Sequence, residues 1–197
     1  FHPTQTAAWG DYNNDGWLDL YVGNESLSFQ RGGVVHPSQL FTNSELGTRF
    51  TDEAESLGVD VVGYVKGVVW GDIDNDGDLD LYVSRFTESN LLYRNDVNDR
   101  NSSAFTEVGE EAGVTEPVRS FPTWFWDYDN DGWLDIFVSG YETSLKRAIA
   151  EDVASDYIGL PTDAEVPRVY RNLGTGIFAD QTRELRLDRV LYTMGCS

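Results

Sequence analysis

Cysteine, methionine and histidine are almost missing from this chain. Among 197 residues there is one Cys, one Met and two His. A lone Cys196 excludes an internal disulfide, and its place in an expected strand makes it a small core residue rather than a nucleophile. His2 and His36 read as surface loop residues, which leaves no well-placed imidazole for acid–base chemistry. No Gly-x-Ser-x-Gly elbow and no phosphate-cradling glycine loop occur. No apolar run approaches the ~18 residues that would span a bilayer. Basic residues are also scarce: 14 Lys and Arg stand against 34 Asp and Glu, a net charge of −20. That balance argues against nucleic acid and against anionic membrane surfaces as partners. The chain opens on Phe1 with no signal peptide in view, and so reads as a processed product or a window on a longer protein.

What is present is a hydrophobic fraction of 40%, enough for a real core, and one segment written three times. Gly10–Val22 (GDYNNDGWLDLYV), Gly71–Val83 (GDIDNDGDLDLYV) and Trp126–Val138 (WDYDNDGWLDIFV) start 61 and 55 residues apart. Each copy has oxygen-bearing side chains at relative positions 1, 3, 5 and 9 and Gly at position 6. Alternate residues of a tight loop turn successive side chains inward, and calcium takes six to eight hard oxygens. Asp11, Asn13, Asp15 and Asp19 fill positions 1, 3, 5 and 9 of the first loop. Asp72, Asp74, Asp76 and Asp80 fill them in the second, and Asp127, Asp129, Asp131 and Asp135 in the third. Position 7, occupied by Trp17, Asp78 or Trp133, would add a backbone carbonyl. The expectation is about three Ca2+ ions. An Asn-Asp-Gly turn on its own would account for a hairpin, but a turn needs no acid at position 9. Three divalent cations would cancel six charges and leave about −14, so the acidity exceeds what the metals require; the remainder serves solubility.

The same opening occurs in an EF-hand, which closes with a bidentate Glu at position 12 and runs into a helix. Here position 12 is Val22, Val83 or Val138, and the residues after the Gly alternate apolar and polar with period two. Each loop therefore joins two strands. Two more matched pieces follow. Leu40–Asn43, Leu92–Asn95 and Val169–Asn172 align as one short strand; Phe50–Asp52, Phe105–Glu107 and Phe178–Asp180 align as the next. A small-apolar segment, such as Ala54–Val59, comes after. The strand before each loop ends in Trp9, Trp70 or Phe125, in register and hence expected in the core. Four antiparallel strands per unit describe a β-propeller blade. The fold class is all-β, in about three blades at roughly 5–62, 63–118 and 119–190.

In the pieces W-G-D-x-D-x-D-G-x-x-D-L-Y-V, L-Y-R-N and F-T-E-V the chain resembles FG-GAP/VCBS repeats. With Val169–Asp180 included, it is similar to the ASPIC/UnbV and cartilage-acidic-protein group. The resemblance implies a calcium-stabilised, integrin-α-like propeller, extracellular or periplasmic, serving adhesion or assembly. Three blades do not close a ring. A seven- or eight-bladed ring is expected, with the chain truncated at both ends or completed by further blades of the same or another chain.

Two insertions depart from the repeat. Glu25–Pro37 carries Gly32-Gly33 and His36-Pro37 and reads as an exposed loop. In the third unit, 30 residues separate Val138 from Val169, where eight separate Val83 from Leu92. Within it Ser144–Ile158 places Leu145, Ile149 and Val153 on one helical face, capped by Thr143 or Ser144. Trp17 and Trp133 are expected to be half exposed, and Trp124 and Trp126 to make a surface contact. Asn24-Glu-Ser26 and Asn101-Ser-Ser103 match the glycosylation sequon. The functional expectation is a non-enzymatic module that binds a protein or glycan through its insertions, with no membrane insertion. Two alternatives stay open: the propeller part of a polysaccharide-acting enzyme, and a structural accessory subunit of a larger complex.

Overall fold

β-Branched and aromatic residues at period two follow each Asp-Gly turn, and that pattern forms strands wherever one face can be buried. In the computed structural model, which describes residues 3–26, 35–44, 47–96, 105–141 and 149–191, these segments build three four-stranded antiparallel sheets. The first consists of β1 (Thr4–Gly10), β2 (Asp19–Asn24), β3 (Gln39–Ser44) and β4 (Arg49–Asp52). The second consists of β5 (Val65–Gly71), β6 (Asp80–Arg85), β7 (Leu91–Asn95) and β8 (Phe105–Glu107). The third consists of β9 (Ser120–Trp126), β10 (Asp135–Gly140), β11 (Arg168–Asn172) and β12 (Phe178–Asp180). Within each sheet the strands pair in chain order. The register repeats too: Trp9 faces Leu20, Trp70 faces Leu81 and Phe125 faces Ile136. The next strands pair Leu20 with Phe41, Leu81 with Tyr93 and Ile136 with Tyr170. Among the described residues, only the bridges Glu25–Tyr64 and Phe86–Arg119 join one sheet to the next through backbone pairing.

The sheets are held to one another by side chains. β1 packs against β5, and β5 against β9. One core combines residues of the first and second sheets, including Tyr21, Leu40, Val65, Leu81 and Val83. Another combines the second and third, including Tyr82, Leu92, Ile136, Val138 and Tyr170. Burying a phenol without a partner would be costly. The Tyr21 hydroxyl accordingly donates to Val59 O at 2.8 Å and that of Tyr82 to Val114 O at 2.8 Å.

Those acceptors lie in elements that sequence reasoning left as small-apolar segments. The helical turns α1 (Ala54–Leu57) and α2 (Gly109–Ala112) end at Gly58 and Gly113 in left-handed conformation, and Val59 and Val114 follow, fully buried. Four-residue turns are too short for a 3.6-residue pattern to register.

Close approach explains the glycine before the first two loops. A Cβ on Gly10 would stand 2.8 Å from the Trp70 ring, and one on Gly71 would stand 2.6 Å from Phe125. The aromatic of each sheet thus lies on the glycine of the sheet before it. Trp70 and Phe125 are partly buried in the two cores as expected. Trp9 is not: it is 58% exposed, and among the described aromatic rings it meets Phe50 alone, edge to face. Its register matches that of Trp70, but no described sheet lies beneath it.

The insertion helix also differs from expectation. α3 spans Ile149–Tyr157; Leu145 and the proposed caps Thr143 and Ser144 fall outside the described residues. Val153 is 42% exposed, while Asp152 and Ser155 are buried. Polar anchoring turns the helix this way. Asp152 accepts from the Thr162 hydroxyl at 3.0 Å, and Asp156 pairs with Arg189 at 2.9 Å. Asn24 of the first sequon is wholly buried and donates to Pro37 O, so it is not a surface acceptor. His36 is half-buried, its backbone tied to the Ser26 hydroxyl. His2, Cys196, Gly32-Gly33 and Asn101–Ser103 lie outside the described residues.

Candidate metal centre

Each loop is shaped by its own carboxylates. The position-1 Asp takes two backbone N–H groups: Asp11 from Asp15 and Gly16, Asp72 from Asp76 and Gly77, Asp127 from Asp131 and Gly132. The position-5 Asp takes the N–H of position 7: Trp17 to Asp15, Asp78 to Asp76, Trp133 to Asp131, at 2.9–3.0 Å. The turn needs a left-handed Asn at position 4, with φ of 56–59°, and Gly at position 6, with φ near 90°. A β-branched residue would be strained at either place.

The position-9 Asp is buried in all three copies, and it ties its own strand to the loop and to the next strand. Asp80 accepts from Ile73 N at 2.8 Å, in the loop, and from Asn95 N at 2.8 Å, on β7. Asp19 takes Tyr12 N and Asn43 N; Asp135 takes Tyr128 N and Asn172 N. Burial pushes the Asp80 carboxyl up to about 8 against these two stabilising N–H bonds, and neighbouring Asp74 and Asp76 push the same way. Burial raises Asp19 to about 6, and raises Asp135 and Asp74 as well. Such carboxyls favour either a proton or a cation.

The second loop brings Asp72, Asp74 and Asp80 together, with ligand oxygens within 4.8 Å of one another, and the third does the same with Asp127, Asp129 and Asp135. Asp74 Oδ1 is buried and has no hydrogen-bond partner, an arrangement a cation would relieve. The donor set is all hard oxygen, which fits calcium rather than a softer metal. Positions 1, 3 and 9 therefore converge, while Asp76 and Asp131 stand outside those groups of three. Asn13 occupies position 3 of the first loop, where its amide oxygen accepts from Asp15 N. At position 7 the Asp78 side chain is buried and turned to the neighbouring loop, 2.6 Å from Asn14 Nδ2. Trp17 is 40% exposed and Trp133 half-buried, both as expected. Trp126 is exposed and Trp124 half-buried; they adjoin each other, with Trp124 stacked on Phe137.

Sequence reasoning missed the asparagines. Asn95 Nδ2 donates to Leu79 O of its own loop at 3.0 Å and to Tyr12 O of the preceding loop at 2.7 Å. Asn172 repeats this with Leu134 O and Ile73 O. Asn43 reaches Leu18 O alone, and its Oδ1 is buried and unpartnered. At position 4, Asn14 donates to Gly77 O and Asn75 to Gly132 O, each in the next loop. The signal was available: Asn recurs in register at both places in all three copies.

Comparison with known proteins agrees with this periodic architecture. Residues 11–83 match the FG-GAP-like repeat. Over 132 residues the chain is 28% identical to cartilage acidic protein 1 of Xenopus tropicalis, covering 66% of this chain and 18% of that protein. The chain thus spans less than a fifth of the relative's length. These two likenesses fit the FG-GAP, cartilage-acidic-protein-like group that the chain's motifs resemble.

Proposed function

We propose that the chain is a calcium-stabilised part of an extracellular or periplasmic β-propeller, acting as a binding module in adhesion or assembly. The observation that carries this reading is the buried, partnerless Asp74 Oδ1 in a group of three convergent carboxylates, a group repeated in the third loop. Asp72, Asp74 and Asp80 would hold the ion in the second loop, with Asp76 and the position-7 carbonyl completing the set. Asp127, Asp129 and Asp135 would do so in the third, and Asp11, Asn13 and Asp19 in the first. A bound divalent ion supplies positive charge that offsets the mutual repulsion of these carboxylates. Everything else belongs to the chain. The position-9 Asp already holds its loop to the next strand through the N–H of Asn43, Asn95 or Asn172, and the Asn95 and Asn172 amides grip the preceding loop, so a stiffened loop stiffens the joint between blades.

The carboxylates at positions 1, 5 and 9 are committed to backbone N–H groups, which supports a scaffold role over acid–base catalysis. Ligand contact falls to the third-sheet insertion. Its helix keeps polar residues inside and leaves Tyr157 82%, Ile158 66% and Leu160 55% exposed. The three sheets are read as adjacent blades of a seven- or eight-bladed ring. Calorimetric titration with Ca2+ tests the metal reading; saturable binding whose stoichiometry falls by one ion in Asp72→Asn/Asp74→Asn supports it, and no heat in the parent chain refutes it. A glycan array and a matrix-protein panel, probed with the parent chain and with Tyr157→Ala/Leu160→Ser, test the ligand surface. Binding that survives in the variant would move the contact elsewhere.

A further inference from the structure

The three loops share a sequence, but among the described residues only the third has a guanidinium bonded to its loop carboxylates. The residue just before the conserved Asn is Thr42 on β3, Arg94 on β7 and Arg171 on β11. Thr42 bonds with the Tyr12 hydroxyl and Glu53. Arg94 lies beside the second loop, within the field of Asp74 and Asp80, but its guanidinium pairs with Asp96 through two contacts of 3.1 Å. Arg171 has no such acid, because Leu173 stands where Asp96 does. Its Nε lies 2.6 Å from Asp129 Oδ2, and another guanidinium nitrogen lies 2.7 Å from Asp131 Oδ2. These are the position-3 and position-5 carboxylates of the third loop. The matching Asp74 of the second loop has an oxygen with no partner at all.

We infer that Arg171 is an internal counter-cation that competes with calcium for Asp129 and Asp131, making the third loop bind more weakly than the second. The inference rests on the calcium reading above and adds a ranking to it. A bidentate guanidinium satisfies two carboxylates at once, and a positive charge within a few ångströms of a divalent ion disfavours that ion's binding. Leu173 is the cause in sequence terms: an acid there would draw Arg171 outward, as Asp96 draws Arg94. The third loop would also hold its shape when calcium is withdrawn, since its charges are partly offset from within.

Tb3+ luminescence sensitised by tryptophan reads this loop directly. Trp133 occupies position 7 of the third loop and Trp17 of the first, whereas the second has Asp78. Because Trp9 and Trp70 also adjoin the first two loops, titrations are run in an Asp11→Asn/Asp15→Asn, Asp72→Asn/Asp74→Asn background that leaves only the third loop intact, with Asp127→Asn/Asp129→Asn added as the control that should abolish the signal. Arg171→Gln should lower the half-saturating Tb3+ concentration roughly tenfold. Leu173→Asp, which keeps the arginine but gives it another partner, should lower it in the same direction. A saturable signal whose midpoint is unchanged or raised in both variants overturns the inference and makes Arg171 a brace for the ligands. No saturable signal in any folded variant overturns the calcium reading, and the inference with it.

Discussion

Asn95→Ala should loosen the joint between the first two sheets without removing a metal ligand. The amide of Asn95 holds Tyr12 O at 2.7 Å and Leu79 O at 3.0 Å, and Asn95 itself is wholly buried. Truncation leaves both carbonyls without that donor. A buried acceptor left unsatisfied costs ~1–3 kcal/mol, so the variant should lose about 2–5 kcal/mol. The backbone N–H of residue 95 still reaches Asp80, so the position-9 carboxylate keeps its place. Asn43→Ala is the internal control, because Asn43 holds Leu18 O alone; its loss should be about 1–2 kcal/mol. Urea denaturation at saturating calcium, followed by tryptophan fluorescence and circular dichroism, compares the two. Asn95→Ala should show much the larger shift in midpoint at an unchanged slope. Equal shifts in the two variants, or an Asn95→Ala loss below ~0.5 kcal/mol, would refute the idea that this amide joins neighbouring loops.

Three further outcomes are expected. In calcium-free protein the Asp80 and Asp19 carboxyls, raised to about 8 and about 6 when folded, titrate near 3.9 when unfolded. The folded state then holds more protons between pH ~4 and ~8, so stability falls as pH rises through that window. Thermal melts with a chelator at pH 5 and pH 8 should favour pH 5, and added calcium should reverse the order because its ligands must be deprotonated; a chelated chain more stable at pH 8 contradicts this. Gly71→Ala places a Cβ 2.6 Å from the Phe125 ring, and overpacking there should cost ~1–3 kcal/mol in chemical denaturation; a neutral effect would mean the sheets can slide apart freely. Tyr82→Phe leaves Val114 O without its 2.8 Å donor and should cost about 1–2 kcal/mol, read as a lower urea midpoint.

The strands were legible because their signal is local. Period-two apolar residues after Asp-Gly fix β2, β6 and β10, and the register follows from three copies aligned on one another. The joints were not legible, since they depend on what a neighbouring sheet brings. Trp9 and Trp70 read identically, yet Trp70 lies on Gly10 and Trp9 lies mostly in solvent. Asp80 was legible as a ligand but not as the clasp of Ile73 N and Asn95 N, which needs the loop and β7 in one place. α3 was readable as a helix, but its orientation was not. The polar contacts of Asp152 and Asp156 outweigh the outward turn of Val153, and no spacing rule contains those partners. Arg171 could have been singled out by comparing position 173 with Asp96 across the copies, because the acid that restrains one arginine is Leu173 beside the other.

The central claim is that divalent ions bound by the three loops stiffen the chain. Differential scanning calorimetry of the 197-residue chain in millimolar Ca2+, and again in excess chelator, tests it most directly. A ligand bound only by the folded state at 1,000 times its dissociation constant adds ~4 kcal/mol per site. The account therefore predicts a fall in Tm of roughly ten degrees or more on chelation, reversed by calcium and absent for Mg2+ at equal concentration. A Tm that does not move when calcium is withdrawn would contradict it.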